Sequence, residues 1–465
     1  MAIGLGEGHI RAIKSAITVL TALVLLSSAA LCALEAPQVL RSLTEEDVLL
    51  VIAPHPDDEA ISSMGLMLEA KRAGAEVHVL YITNGEYPLT SMLANRDRHP
   101  LGVNAFIALG YARQREASAV LESLNANSVT FLGYPDSFLN DMTGPEHWIS
   151  SGIASSRTKR RNVPFENSPS YGKPNTGSNL LEDLCDAIRT IQPSMIVFPS
   201  TDDSHPDHSA AGILTQIAAE SCRMESGASY RPQLLSYLVH VRDIAWNTGY
   251  RTNREKLPLP WMEGGGLIWL SMPVSKEDAA IKRAAVLSFA TQGAAMNNTL
   301  LSFIRTNEIF CEEPPLAHAS AGGIIEAALP SAETYERRAH PAADIEGFGI
   351  DAGTDRVCFT IKLAGYPSSR YAYILRAYYA DADGCVVGVA EVKVRGDLGK
   401  LSAMSSEGIL ISDELLAQIH GNVLEIRLAD PPWGIESTWV IVRSTYSIGD
   451  AILDSTPIAR IVRRP

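Results

Sequence analysis

Two hydrophobic patterns alternate along the N-terminal part of the chain. Short, continuous apolar runs are followed by longer stretches in which apolar residues recur every three or four positions. Continuous runs are typical of strands buried on both faces, whereas the longer spacing is typical of amphipathic helices. The runs predict strands at Val48–Ala53, Val77–Ile82, Val129–Leu132 and Met195–Phe198.

The helical spacing occupies the segments between and after these strands. It predicts helices at Glu59–Arg72, Arg113–Leu124, Leu180–Ile191, Ser209–Cys222, Lys276–Ala290 and Thr299–Arg305. This order predicts a Rossmann-like α/β fold, a mostly parallel sheet with helices on both faces, which we assign to residues 46–311. The stretch from Asp136 to Ser178 is rich in Gly, Pro, Ser and Asn, and its length predicts a functional loop or lid.

The pattern changes after residue 311. Residues 312–334 contain Pro314, Pro315 and the pair Gly322–Gly323, which predicts a linker. In residues 335–465, short β-branched or aromatic runs are separated by turn residues, which predicts a C-terminal antiparallel β-sandwich. Its predicted strands are Val357–Leu363, Tyr371–Tyr379, Val386–Val394, Val423–Leu428 and Thr438–Arg443.

Residues 1–34 have the features of a targeting segment. Arg11 and Lys14 precede an uncharged run at 15–34 that is rich in Leu, Val and Ala. The run is near the length of a membrane-spanning helix, and the small residues at 28–30 offer a cleavage site. The segment therefore fits either a signal peptide or an N-terminal membrane anchor. Both alternatives predict an extracytoplasmic protein that is secreted, periplasmic or anchored facing outward.

Composition and charge mainly exclude classes of binding partner. Lys+Arg is 39 and Asp+Glu is 53, so the formal net charge is −14. Nucleic acid and anionic lipid both require a basic surface, which argues against either as the main partner. The six cysteines include no CxxC pair, and either Cys185–Cys222 or Cys358–Cys385 fits a disulfide.

Two polar clusters follow two of the predicted strands. Residues 53–59 (Ala-Pro-His-Pro-Asp-Asp-Glu) come directly after the first strand, and residues 205–208 (His-Pro-Asp-His) come shortly after the fourth. Ligands of parallel α/β sheets bind at the carboxyl ends of the strands. His and Asp supply the nitrogen and oxygen ligands of a catalytic zinc whose fourth position holds water. The alternative is that both clusters only cap the helices that follow.

The two clusters resemble the signature motifs of the PIG-L/LmbE-like zinc de-N-acetylases. The resemblance covers about residues 47–310, with all motifs in family order, and does not extend to residues 335–465. Its further motifs are Thr83–Glu86 (TNGE), Arg113–Glu116 (RQRE), Leu132–Asp136 (LGYPD) and Arg305–Phe310 (RTNEIF).

The resemblance implies a role for each residue of the two clusters. His55, Asp58 and His208 would ligate Zn²⁺. Asp57 would be the general base that acts on the zinc-bound water. His205 would stabilise the developing oxyanion or protonate the leaving amine.

Two more roles follow from the same resemblance. Asp207 would orient and charge-tune His205. Arg113 would bind a substrate hydroxyl or phosphate, with an exposed helix arginine as the alternative. Some family members carry a tyrosine two residues before the second cluster, where this chain has Asp203, so their additional oxyanion donor has no counterpart at this position.

The function that the resemblance implies is zinc-dependent removal of the acetyl group from an N-acetylated amino sugar of the N-acetylglucosamine type. The expected partner is an N-acetylated sugar or glycoconjugate, with membrane attachment through the N-terminal segment as one of the two alternatives above. Two other functions stay open: a non-catalytic carbohydrate-binding envelope protein that kept the fold, and a hydrolase of another N-acyl amide.

Overall fold

The computed structural model describes residues 37–87, 102–149, 151–227, 229–241, 249–259, 267–314, 316–320, 324–328, 340–352, 356–406, 416–429, 437–448 and 452–462. By their contacts, residues Gln38–Pro465 form one unit and Met1–Pro37 another, of which only Pro37 is described. The predicted targeting segment, residues 1–34, lies outside the described residues. Within the described part of the chain, no helix has the length and apolarity needed to cross a membrane.

The N-terminal part is built on an eight-stranded, mostly parallel sheet. Its strands are β1 (Gln38–Val39), β2 (Val48–Ala53), β3 (Glu76–Thr83), β4 (Ser128–Tyr134), β5 (Met195–Pro199), β6 (Gln233–Tyr237), β7 (Ile268–Pro273) and β8 (Asn307–Glu312). Their spatial order is β1-β7-β8-β6-β5-β2-β3-β4, and β8 runs antiparallel to β6 and β7. The predicted Rossmann-like α/β class is confirmed. Strands β6 to β8 were not predicted, because polar residues interrupt their apolar runs.

Helices cover both faces of this sheet. They are α1 (Asp58–Arg72), α2 (Val103–Ser123), α3 (Leu139–Met142), α4 (Gly177–Ile191), α5 (Pro206–Glu225), α6 (Lys276–Ser288) and α7 (Ala290–Leu301). Side chains of β2 alternate between the faces: Val51 packs in a buried cluster with α1, α2 and α6, whereas Ile52 packs with α4 and α5. The predicted helix Thr299–Arg305 is wrong, because α7 ends at Leu301 and the chain then turns toward β8.

The C-terminal part consists of two further sheets that pack face to face. Their strands are β9 (Ala317–Ser320), β10 (Ile324–Ala328), β11 (Ile345–Ala352), β12 (Arg356–Leu363), β13 (Tyr371–Ala380), β14 (Val386–Arg395), β15 (Leu401–Ser405), β16 (Leu416–His420), β17 (Val423–Ala429), β18 (Ser437–Tyr446), β19 (Ile452–Ser455) and β20 (Ala459–Val462). The five-stranded sheet has the order β10-β11-β12-β17-β16. The seven-stranded sheet has the order β15-β14-β13-β18-β20-β9, with β19 paired to β18.

All pairs in these two sheets are antiparallel except that β9 runs parallel to β20. The predicted C-terminal antiparallel β-sandwich is confirmed. Strands β9 and β10 lie within residues 312–334, so part of the predicted linker belongs to the sheets.

The seven-stranded sheet uses both of its faces. One face shares a buried cluster with the five-stranded sheet, in which Leu375 lies with Ile361. The other face packs against the α/β part, where Trp439 belongs to the same buried cluster as Leu184 of α4 and Ile213 of α5. The predicted boundaries at 311 and 335 stay a prediction, but the hydrophobic core is continuous across them.

A buried ion pair joins three elements of the α/β part. Lys282 of α6 donates through Nζ to Glu308 Oε1 (2.7 Å) and to the carbonyl oxygen of Ile61 (2.8 Å). The two carboxylate oxygens of Glu308 also accept hydrogen bonds from the backbone N–H groups of Gly65 and Leu66 in α1. Both charged side chains are almost completely buried, so each depends on the other for its electrostatic balance.

We expect Lys282→Met to lower the free energy of unfolding by about 3–5 kcal/mol, because it leaves the Glu308 carboxylate buried without its counter-ion. The matched control is Lys362→Met at the exposed Lys362–Glu346 pair, where we expect a loss of about 0–1 kcal/mol. Denaturant unfolding of the full chain measures both. Equal losses in the two variants would contradict the role given to the buried pair.

Candidate metal centre

The two polar clusters meet because the strands that precede them are neighbours. Strands β2 and β5 pair in parallel, with Val51 opposite Val197. Their carboxyl ends therefore lie at the same edge of the sheet, where ligands of such folds bind. The loop after β2 carries His55 and Asp57, and Asp58 is the first residue of α1. The loop after β5 leads into residues 205–208 at the start of α5.

The three predicted metal ligands form a nearly equilateral triangle. His55 Nδ1 and His208 Nε2 each lie 3.3 Å from Asp58 Oδ2, and the two nitrogens lie 3.3 Å from each other. Tetrahedral zinc with bonds of about 2.0–2.1 Å requires ligand atoms about 3.3–3.4 Å apart. Burial alone would raise the pKa of Asp58, but the two histidines hold that pKa well below its usual value. The donor set therefore fits a divalent cation such as zinc.

Asp203, for which we predicted no role, holds the ring of His208. Asp203 Oδ2 lies 3.2 Å from His208 Nδ1, so the hydrogen of the ring belongs on Nδ1 and Nε2 is free to bind metal. Asp203 also accepts hydrogen bonds from the backbone N–H groups of His205, Val239 and His240. The only signal in the sequence was its place two residues before the second cluster.

Two carboxylates face the outer nitrogen of His55. His55 Nε2 lies 3.3 Å from Asp136 Oδ1 and 3.3 Å from Asp207 Oδ2. Asp207 in turn accepts hydrogen bonds from the backbone N–H groups of Ser137 (2.6 Å) and Leu139 (3.0 Å). We expected Asp207 to orient and charge-tune His205. Its backbone N–H donates to His205 Nδ1, and its charge opposes the lowering of the His205 pKa. Its carboxylate also lies against His55, because the loop after β4 brings these two N–H groups against it.

Asp57 occupies a strained position between the ligands. Its backbone has φ 127° and ψ −26°, a conformation that non-glycine residues rarely adopt. Glu59 stabilises it, because Glu59 Oε2 accepts the backbone N–H of Asp57 at 3.1 Å. Burial raises the pKa of Asp57 to about 7, although the nearby Arg113 guanidinium opposes the shift. A carboxylate with such a pKa can accept a proton near neutral pH.

Arg113 supports the site from within the protein. It is 1% exposed, so the alternative of an exposed helix arginine is wrong, and its role in substrate binding stays a prediction. Its guanidinium donates to the carbonyl oxygens of Gly85 (2.7 Å) and Pro56 (2.5 Å) and lies 3.3 Å from Asp57 Oδ2. Gly85 has φ +64°, and a Cβ there would lie 2.1 Å from Arg113, so the TNGE motif requires glycine at this position.

His205 stands beside the ligands with one nitrogen available. It caps α5, and its Nδ1 accepts the backbone N–H of Asp207 at 3.2 Å. In the neutral ring the hydrogen therefore lies on Nε2, which is left as a donor. Burial, together with the nearby ring of His55, lowers the pKa of His205 to about 4. The ring centroids of His205 and His55 are 5.1 Å apart.

His240 also belongs to this site, although we predicted no role for it. Its ring centroid lies 4.9 Å from that of His205 and 4.5 Å from that of His208. Its Nδ1 lies 3.3 Å from Asp203 Oδ1. His240 follows β6, a strand that the hydrophobic pattern did not predict, so nothing in the sequence placed it near the two clusters.

The four cysteines considered for disulfides, Cys185, Cys222, Cys358 and Cys385, are all free thiols in the structure. Cys185 and Cys222 nevertheless lie on adjacent helices, with Cys222 Sγ 3.8 Å from the carbonyl oxygen of Cys185. Neither predicted disulfide is present.

Comparison with known proteins identifies the class of the α/β part. Residues 50–219 match the family model described as PIG-L: GlcNAc-PI de-N-acetylase. This match confirms, for this part of the chain, the resemblance predicted from the sequence.

Curated relatives carry the name 1D-myo-inositol 2-acetamido-2-deoxy-alpha-D-glucopyranoside deacetylase. The protein from Mycobacterium sp. (strain KMS) is 30% identical over 181 residues, which cover 38% of this chain and 51% of the relative. That from Corynebacterium glutamicum (strain R) is 26% identical over 210 residues, 43% of this chain and 63% of the relative. The chain thus spans about half the length of the first of these relatives. The solved N,N'-diacetylchitobiose deacetylase from Pyrococcus horikoshii is 16% identical, with a TM-score of 0.36, over 57% of this chain and 82% of that chain.

We expect Asp203→Asn to weaken Zn²⁺ binding about 10–100-fold, because it removes the charge that fixes the ring of His208 while leaving all three ligands in place. Asp58→Asn removes a ligand and should weaken binding more. Asp186→Asn, at an exposed position of α4, is the matched control and should bind as wild type does. Competition with a chromophoric chelator measures the three affinities. Wild-type affinity in Asp203→Asn would show that the carboxylate does not tune the ligand.

Proposed function

We propose that this protein is a zinc-dependent hydrolase that removes the acetyl group from an N-acetylated amino sugar. The observation that carries the proposal is the 3.3 Å triangle of His55, Asp58 and His208 beside a buried Asp57. The family model and the names of the curated relatives support both deacetylation and a sugar of the N-acetylglucosamine type.

A zinc ion held by these three residues would polarise the acetamide carbonyl and acidify a water molecule. Asp57 would accept one proton from the attacking water as the oxygen of that water bonds to the carbonyl carbon. The same carboxyl can then return the proton to the departing nitrogen as the C–N bond breaks. Water and the acetamide would thereby be converted to acetate and the protonated amine.

His205 contributes a hydrogen bond rather than a proton. Its Nδ1 is engaged by the backbone N–H of Asp207, so its Nε2–H can donate to the carbonyl oxygen as negative charge develops there. A donor already fixed in position stabilises that charge without reorganisation, and one such donor typically contributes about 10²–10³-fold in kcat. Of the two roles implied for His205, the geometry therefore favours oxyanion stabilisation.

We place the reaction outside the cytoplasm. The proposal depends on the charged start and apolar run of residues 1–34, which fit a signal peptide or an outward-facing anchor. Alkaline phosphatase fused after residue 46 tests it, because that reporter becomes active only after export. An inactive but stable fusion would contradict the proposed location.

We expect Asp57→Asn to lower kcat about 10²–10⁴-fold with nearly unchanged Zn²⁺ affinity, because asparagine keeps the size of the side chain but cannot accept a proton. Amine release from a panel of N-acetylated sugars measures turnover, and Asp186→Asn again serves as the matched control. Unchanged turnover in Asp57→Asn would remove the general base from the mechanism. A zinc-loaded wild type that releases amine from longer N-acyl substrates, but from no acetamide, would assign the site to another amide. Release from none of them would favour a carbohydrate-binding protein.

A further inference from the structure

We infer that the β-sandwich is a positioning element of the metal centre. Buried residues of the seven-stranded sheet hold two loops: the loop after β4 donates backbone N–H groups to the outer carboxylate of Asp207, and the loop after β5 carries Asp203. The inference rests on the proposed function only for the measurements of activity. Zn²⁺ affinity reports on the geometry of the ligands whether or not the protein is a deacetylase.

Two arginines of the sandwich hold the loop after β4. Arg443 Nη1 of β18 donates to Asn140 Oδ1 at 2.9 Å. Arg376 Nη1 of β13 donates to the carbonyl oxygen of Asn140 (3.2 Å) and to Thr143 Oγ1 (2.7 Å). These bonds cross from the sandwich into the predicted lid, residues 136–178. Trp148 of that segment is fully buried, with its ring 5.6 Å from that of Tyr378, so this part of the loop is a docked structural element.

The held segment leads directly to a metal ligand. Asn140 follows Leu139, whose backbone N–H donates to Asp207 Oδ1. The other oxygen of Asp207 accepts the N–H of Ser137 and lies 3.3 Å from His55 Nε2. A shift of Asn140 therefore reaches His55 through one peptide unit and one carboxylate.

The sandwich holds the second loop as well. Ser455 Oγ of β19 donates to Asp202 Oδ1 and lies 3.4 Å from the carbonyl oxygen of Thr201. The next residue is Asp203, which fixes the ring of His208. Both histidine ligands thus depend on a loop that contacts the sandwich. One loop carries Asp203, which faces His208, and the other donates N–H groups to Asp207, which faces His55.

Burial of two arginines is energetically unfavourable, so the stability of the sheet alone does not explain them. Arg376 and Arg443 are 4% and 1% exposed and lie on the face that also carries Trp439 and Ile441. Arg376 forms an ion pair with Glu391, and Arg443 donates to the neutral Asn140. Apolar side chains of similar volume at such buried sites are often neutral or stabilising. Their presence is explained by the hydrogen bonds with which they hold the loop after β4.

The experiment compares variants of the full chain. We expect Arg443→Met to weaken Zn²⁺ affinity about 10-fold, the lower end of the range for direct partners of metal ligands, since Arg443 acts through Asp207. It should lower kcat by a similar factor and change KM little. Arg443→Lys, which keeps a donor for Asn140, should recover most of both losses. The control is Ile361→Ala in the core between the two sheets, which lowers the melting temperature but should bind Zn²⁺ as wild type does when folded.

Ser455→Ala, at the second loop, tests the inference again if Arg443→Met does not fold. Wild-type Zn²⁺ affinity in folded Arg443→Met or in folded Ser455→Ala would overturn the inference for that loop. A control that loses as much affinity as Arg443→Met would attribute the effect to stability and overturn it as well. If the wild type binds Zn²⁺ but releases amine from no substrate, the proposed function fails, while the affinities still decide the role of the sandwich.

Discussion

Buried negative charge is the constraint on which the arrangement of the site depends. Five aspartates, all buried, lie around the two histidine ligands; they are Asp57, Asp58, Asp136, Asp203 and Asp207. Burial makes an ionised carboxylate unfavourable unless donors or cations compensate it. The chain supplies backbone N–H groups to Asp58, Asp203 and Asp207. Arg113 lies beside Asp57, and Asp58 supplies the negative charge of the ligand triangle, which a divalent cation would offset.

The same constraint explains the state of the histidines. Burial lowers the pKa of His208, but Asp58 and Asp203 outweigh that effect and raise it to about 10. Around His205 burial prevails, and its pKa falls. The two carboxylates thus favour positive charge at the His208 ring, which a metal ion bound to its Nε2 would supply, whereas the capping ring of His205 stays neutral and keeps a donor. His205 and His208, at the start of one helix, therefore have different roles, one as a hydrogen-bond donor and one as a metal ligand, because their carboxylate neighbours differ.

The sequence predicted what is local and missed what depends on distant segments. The motif residues His55, Asp58 and His208 follow strands whose apolar runs are clear, so their convergence could be expected from the parallel sheet alone. His240 follows a strand that polar residues disguise, and its place beside His208 depends on β6 pairing with β5. The helical pattern around Arg113 does not show whether its side chain is buried. Burial of the guanidinium depends on Gly85, which follows β3 and leaves room for it because it has no side chain.

The sandwich is not structurally independent of the α/β part. The boundaries predicted at 311 and 335 treat the sandwich as a domain of its own, whereas the buried cluster that contains both Ile213 and Trp439 shows that it packs on the α/β part. Removing residues 335–465 would expose the apolar faces of α4 and α5 together with the loop that Arg376 holds. Loss of activity in such a truncation could not separate unfolding from misplaced ligands. Single buried side chains such as Arg443 can separate them, because they alter the contact with Asn140 while the sheets remain paired.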